Sequence, residues 1–142
     1  MPHVFVYGTL LFPEILTGLT GRTFTEVAAT LPGFRRMQVK FGDYPAIIKA
    51  DETDVQGKLI LDVDARSLEL LRFYEGDDYD CIEAEVQLDD QKVRALVFVW
   101  KNDRKLIAEP DWNPDKFKNH FLKDYTRYVV PETVAEFTKL FS

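Results

Sequence analysis

A chain of 142 residues, 46% hydrophobic and 30% charged, is long enough for one domain with a real core and too apolar to be disordered. A net charge of −6 with no long basic run argues against binding through the phosphate field of nucleic acid or of an anionic membrane. One cysteine (Cys81) and two distant histidines (His3, His120) leave no internal disulfide and little basis for a zinc site.

The longest apolar run, Leu96 to Trp100, is strand-sized rather than membrane-spanning. The first strand begins almost at once, so no secretory leader is expected. With the single cysteine, this favours a reducing, cytoplasmic location. No internal repeat or flexible linker divides residues 1–142, and they read as a single domain.

Taken in order, Val4-Phe5-Val6 is a buried strand that stops at Tyr7-Gly8-Thr9-Leu10. Gly8 permits a sharp turn or a close ligand approach. Amides leaving a core strand without ladder partners can form a nest for an oxyanion. Equally, the stretch reads as an ordinary glycine turn. Pro13 to Gly18 is a short helix opened by proline and closed by glycine. Phe24–Leu31 and Phe34–Phe41 read as two strands split by a Pro32-Gly33 turn, with Val27 and Leu31 inward and Arg35-Arg36 half solvated. Gly42 to Pro45 turns the chain into strands Ala46–Ala50 and Val55–Val63, separated by the acidic stretch Asp51–Asp54. Leu59, Leu61 and Val63 share one face, and Gly57 signals a bulge or bend.

Asp64 is a helix N-cap, with Val63 and Leu68 at hydrophobic-staple spacing. Leu68, Leu71 and the Phe73-Tyr74 pair face inward, and Gly76 ends the helix. Ile82 to Leu88 alternates apolar and charged, then turns at Asp89-Asp90-Gln91 into Lys92–Trp100. Lys101 to Trp112 is an irregular connection. Asn113-Pro114 opens a helix carrying Phe117, Phe121, Leu122, Tyr125, Tyr128 and Val129. Pro131 is expected to break it before Val134, Phe137, Leu140 and Phe141. These aromatics read as packing. The whole pattern is an α+β fold, a small mixed β-barrel of about six or seven short strands with flanking helices.

The chemistry offered is sparse. Ser67 lies inside a helix and Ser142 ends the chain, and there is no phosphate loop or dinucleotide glycine pattern. Cys81 has acidic neighbours that disfavour a thiolate. The Asp77-Asp78-Asp80 loop reads as a solvated turn. Glu75 stands apart. It meets the negative end of its helix dipole and has two aromatic neighbours, so its carboxyl should titrate high enough to serve as a general acid or base. An exposed surface glutamate is the plainer alternative.

Together, Phe5-Val6-Tyr7-Gly8-Thr9-Leu10, Leu31-Pro32-Gly33-Phe34, Tyr44-Pro45-Ala46, Val55-Gln56-Gly57, Leu71-Arg72-Phe73-Tyr74-Glu75-Gly76, Tyr79 and Val97-Phe98-Val99-Trp100 resemble the γ-glutamylcyclotransferase-like superfamily. The branch resembled is that of the γ-glutamylamine cyclotransferases and plant avirulence-induced proteins, and Asp111-Trp112 to Tyr125 is similar to the plant-type tail. The resemblance implies a small barrel with flanking helices and Glu75 as the catalytic acid/base. It implies substrate binding by the Tyr7–Leu10 loop, with Val6, Tyr44, Pro45 and Tyr79 in the same site. It implies a small γ-glutamyl substrate, 5-oxoproline as product and no cofactor. The family often has an acidic residue where Arg72 stands and an arginine where Cys81 stands. Two other readings are a non-catalytic binding module for a small carboxylate or amine, and an interaction domain using aromatics of the C-terminal helices.

Overall fold

The computed structural model describes residues 1–141. In chain order the strands are β1 (Val4–Val6), β2 (Glu26–Val39), β3 (Pro45–Ile60), β4 (Tyr79–Leu88), β5 (Gln91–Trp100) and β6 (Ile107–Ala108). The helices are α1 (Pro13–Thr20), α2 (Ala65–Glu75), α3 (Pro114–His120), α4 (Leu122–Asp124) and α5 (Val130–Phe141). A 3₁₀ turn at Thr9–Leu11 follows β1, and a π-helical turn at Tyr125–Val129 joins α4 to α5.

β1 is short but has neighbours on every side. It pairs antiparallel with β3 (Phe5 opposite Leu59) and parallel with β5 (Val4 opposite Leu96). β5 pairs with β4, β4 meets β2 at Thr30–Gln87, and β2 pairs with β3. The five strands therefore close into a barrel, and β6 adds to the far end of β2. Successive side chains of a strand point to opposite faces, so closure makes two cores. Phe5, Leu31, Ile47, Leu59, Val86 and Val97 fill the barrel. Val4, Val6, Ile48 and Ile60 face outward, where Ile15, Leu16, Leu71, Phe117 and Phe137 of the helices cover them.

β2 and β3 are each one long strand where two were expected. The Pro32-Gly33 pair is an irregularity inside β2: the register passes from Pro32–Asp54 to Phe34–Lys49, so the acidic stretch bulges out of β3. Gly33 (φ 82°) and Glu52 (φ 67°) take left-handed backbone there, and Thr53 Oγ1 donates to the carbonyls of Phe34 and Ala50. Gly57, by contrast, is not a bulge. Ala29 lies opposite it in unbroken register, and a Cβ at Gly57 would stand 2.2 Å from the Val6 carbonyl oxygen and 2.8 Å from the Phe5 ring. Glycine is needed because β1 crosses so closely. β3 ends at Ile60, before the expected Val63, whose amide bonds instead to the Pro2 carbonyl.

α2 forms as its sequence dictates. The Asp64 side chain accepts from the Ser67 amide, Val63 and Leu68 join the outer core, and Gly76 (φ 83°) stops the helix directly after Glu75. The irregular connection holds a 3₁₀ turn at Arg104–Leu106 and β6. Pro131 does not break the C-terminal helices. The chain widens into the π turn just before it, and Thr133 Oγ1 takes up the Val129 carbonyl at 2.7 Å. Tyr128, Leu140 and Phe141, assigned to the apolar stripes, are exposed.

Candidate active site

The end of β1, the β2–β3 turn and the end of α2 converge on one cavity of about 200 Å³. Every residue singled out from sequence lies on its wall: Val6, Tyr7, Gly8, Thr9 and Leu10 from the first loop, Tyr44 and Pro45 from the second, then Glu75 and Tyr79. The two halves are tied by a 2.7 Å hydrogen bond between the hydroxyls of Thr9 and Tyr74, the residue before Glu75. Gly8 lets the loops meet, since a Cβ there would stand 2.7 Å from Pro45 Cγ.

Glu75 is half-buried on the cavity wall, with no salt bridge among the described residues. Burial raises its pKa from 4.5 to about 8. Removal from water, one of the two effects expected from sequence, is the cause. In the 3₁₀ turn Leu11 and Phe12 donate to the carbonyls of Gly8 and Thr9. The preceding amides of Gly8, Thr9 and Leu10, all buried, have no acceptor among the described residues.

Five of the six tyrosines ring the cavity: Tyr7, Tyr44, Tyr74, Tyr79 and Tyr125. The Tyr7 hydroxyl donates to the Phe98 carbonyl and Tyr79 to the Pro45 carbonyl at 2.7 Å, so both are committed to the scaffold. The hydroxyls of Tyr44 and Tyr125 have no protein partner among the described residues. Burial, reinforced by the Glu75 carboxylate, raises the phenols of Tyr7, Tyr74, Tyr79 and Tyr125, so all stay protonated at neutral pH. No lysine, arginine or histidine lines the cavity, and the described residues hold no cluster of three metal-ligating side chains.

The profile of the family described as "Gamma-glutamyl cyclotransferase, AIG2-like" matches residues 4–114. The chain belongs to this family. Among its relatives, AIG2-like protein A of Arabidopsis thaliana is 32% identical over 129 residues, covering 87% of this chain and 76% of that protein. Protein AIG2 C of the same plant is 34% identical over 131 residues, covering 85% and 79%. The solution structure of an Arabidopsis thaliana protein superposes with a TM-score of 0.69 at 29% identity, covering 97% of this chain and 84% of that one. A solved structure named Gamma-glutamyl cyclotransferase shares the fold, with a TM-score of 0.59 at 18% identity, covering 71% and 67%.

The family segments thus supply both loops and Glu75, whereas Tyr125, Val129 and Thr133 of the cavity wall lie beyond the matched residues. Sequence reasoning placed Tyr125 and Val129 in a packing stripe and missed Thr133. The apolar spacing of Tyr125 and Val129 carries no sign that they face a cavity rather than the barrel. At the two positions departing from the family pattern, burial raises the Cys81 thiol and nearby Arg72 partly offsets that, so the positive charge here sits on α2 rather than β4.

Proposed function

We propose that the chain is a γ-glutamyl cyclotransferase, releasing 5-oxoproline from a γ-glutamyl amine or γ-glutamyl amino acid. The observation that carries this reading is Glu75, a carboxyl held near pKa 8 across one cavity from three unpaired amides. In the proposed reaction the amides of Gly8, Thr9 and Leu10 hold a substrate oxygen, a task for which the cavity offers no cation. Glu75 takes a proton from the substrate's α-ammonium. The freed amine attacks the γ-carbonyl carbon, forming the new C–N bond of the ring. The ring nitrogen gives up its second proton to solvent, and the original amide C–N bond breaks as Glu75 returns its proton to the leaving amine.

Because the nucleophile is the substrate's own amine, no covalent protein residue is required. A curled substrate gains from effective molarities of roughly 10⁵ M or more in well-oriented intramolecular reactions. Each donor aimed at a developing oxyanion adds on the order of 10²-fold. Family membership supports the reaction class, and the cavity's size supports a small-molecule substrate. The test is a panel of γ-glutamyl amines and dipeptides assayed for 5-oxoproline. Glu75→Gln should lower kcat by about 10²–10⁴-fold while the protein stays folded. Equal turnover by both proteins would remove Glu75 from the reaction. Binding of 5-oxoproline by a wild type that turns nothing over would leave a binding module.

A further inference from the structure

Arg36 is the one arginine of the β2 pair that turns inward, its side chain 15% exposed, although the Arg35-Arg36 sequence reads as a solvated edge. Its guanidinium has three partners. Nη1 donates to the Tyr7 carbonyl at 2.7 Å. Nε and Nη2 donate to the two carboxylate oxygens of Asp111 at 2.9 and 3.2 Å. Its carbon lies 5.3 Å from the ring centre of Trp112. Trp112 in turn donates its indole N–H to the Asp43 carbonyl at 2.8 Å. A continuous set of contacts therefore runs from one wall of the cavity to the other without lining it.

Both ends of this set are backbone carbonyls, and that decides what it does. The Tyr7 carbonyl and the Gly8 N–H belong to one planar peptide unit, and in a trans peptide they point in opposite directions. A guanidinium that fixes the carbonyl therefore fixes the direction of the Gly8 amide, away from Arg36. A charged donor on the carbonyl also polarises the peptide and strengthens its N–H as a donor. At the other end, the Asp43 carbonyl shares its peptide with the Tyr44 amide. The fork of Arg36 suits this task because bidentate pairing with Asp111 leaves one N–H set at a fixed angle.

We propose that Arg36 is a positioning residue of the site, locked by Asp111 and Trp112 so that it aims the Gly8 amide at the substrate oxygen and couples that loop to the one carrying Tyr44. The assignment of the oxygen rests on the cyclotransferase reading, whereas the coupling of the two loops does not.

Two measurements on Asp111→Asn, Trp112→Phe and Arg36→Lys test it. The first is the amide spectrum of ¹⁵N-labelled protein without ligand. The Gly8 resonance moves in all three variants, and Trp112→Phe, a change at the residue that packs on Arg36 and bonds the Asp43 carbonyl, moves the Gly8 and Tyr44 resonances together. The second is 5-oxoproline release. KM rises about tenfold while the pH midpoint of kcat/KM stays where it is, because Glu75 is untouched. A purely structural contribution would instead lower Tm and apparent kcat together through a smaller folded fraction, with KM unchanged. Asp111 is 54% exposed, so its variant folds even if the Trp112 variant does not. A Gly8 resonance and KM that both stay at wild-type values in Asp111→Asn overturn the proposal. If wild type releases no 5-oxoproline from any γ-glutamyl compound, the cyclotransferase reading fails, and the Gly8 and Tyr44 resonances alone decide the coupling.

Discussion

Glu75 does its proposed work only as a carboxylate when it accepts the first proton. Its pKa of about 8 therefore predicts that kcat/KM climbs with pH and levels off above about 8. The same shift affects stability, with a definite sign. Between pH 4.5 and about 8 the folded chain keeps a proton on Glu75 that the unfolded chain has lost. Stability must fall across that window, by up to about 1.4 kcal/mol per pH unit, and the contribution is whole again below 4.5. Glu75→Gln has no proton to lose. Its Tm should exceed that of wild type near pH 8, and the gap should close by about pH 4.5. Melting curves that run parallel over this range would contradict the assigned pKa.

At the scale of elements, α2 is the part whose job is most local. It delivers Glu75 at its last turn, and its first turn is held by Asp64, whose carboxylate accepts from the Ser67 amide at 3.2 Å. Hydrogen bonding from Ser67, its hydroxyl first and then its amide, keeps the Asp64 carboxyl below its usual pKa. Asp64→Ala should cost about 1 kcal/mol, a fall in Tm of roughly 2–4 °C, with KM preserved. Differential scanning calorimetry checks it. This helix was legible in the sequence because cap, staple and stop all lie between Val63 and Gly76. So was the β4–β5 hairpin, whose alternation runs straight into a tight turn. β2 and β3 were misread because Pro32-Gly33 and Asp51–Asp54 look like turns one at a time. Only their position opposite each other makes them a bulge in one ladder. The site divides the same way. Glu75 announces itself by its place beside Gly76, whereas Arg36 depends on a carboxylate 75 residues away.

The whole molecule is a barrel with a second core outside it, and β1 is common to both. Gly57 allows that arrangement by letting the first strand cross β3 at contact distance. Gly57→Ala would drive its methyl into the Val6 carbonyl and the Phe5 ring, both rigidly held. A loss of at least about 1–3 kcal/mol is expected, the range for overpacked core sites. Urea unfolding would report it, and the Tyr7–Leu10 loop should loosen with β1. An unchanged midpoint would mean that β1 does not pack directly on Gly57.

The pairing of Val4 with Leu96 also sets an order of events in time. Residues 4–10 leave the ribosome long before β5, yet β1 cannot take its full place until β5 exists to receive one edge. Contacts this distant along the chain are slow to form, because a long loop must close before they give anything back. The loop that would hold the substrate is thus synthesised well before the strand that seats it. In pulse-labelled hydrogen exchange during refolding, the amides of β1 should gain protection in the same phase as those of β5, after the β4–β5 hairpin has formed. Nascent chains that end before residue 96 then carry the Tyr7–Leu10 sequence without the pocket, so ligand binding appears only as the barrel closes.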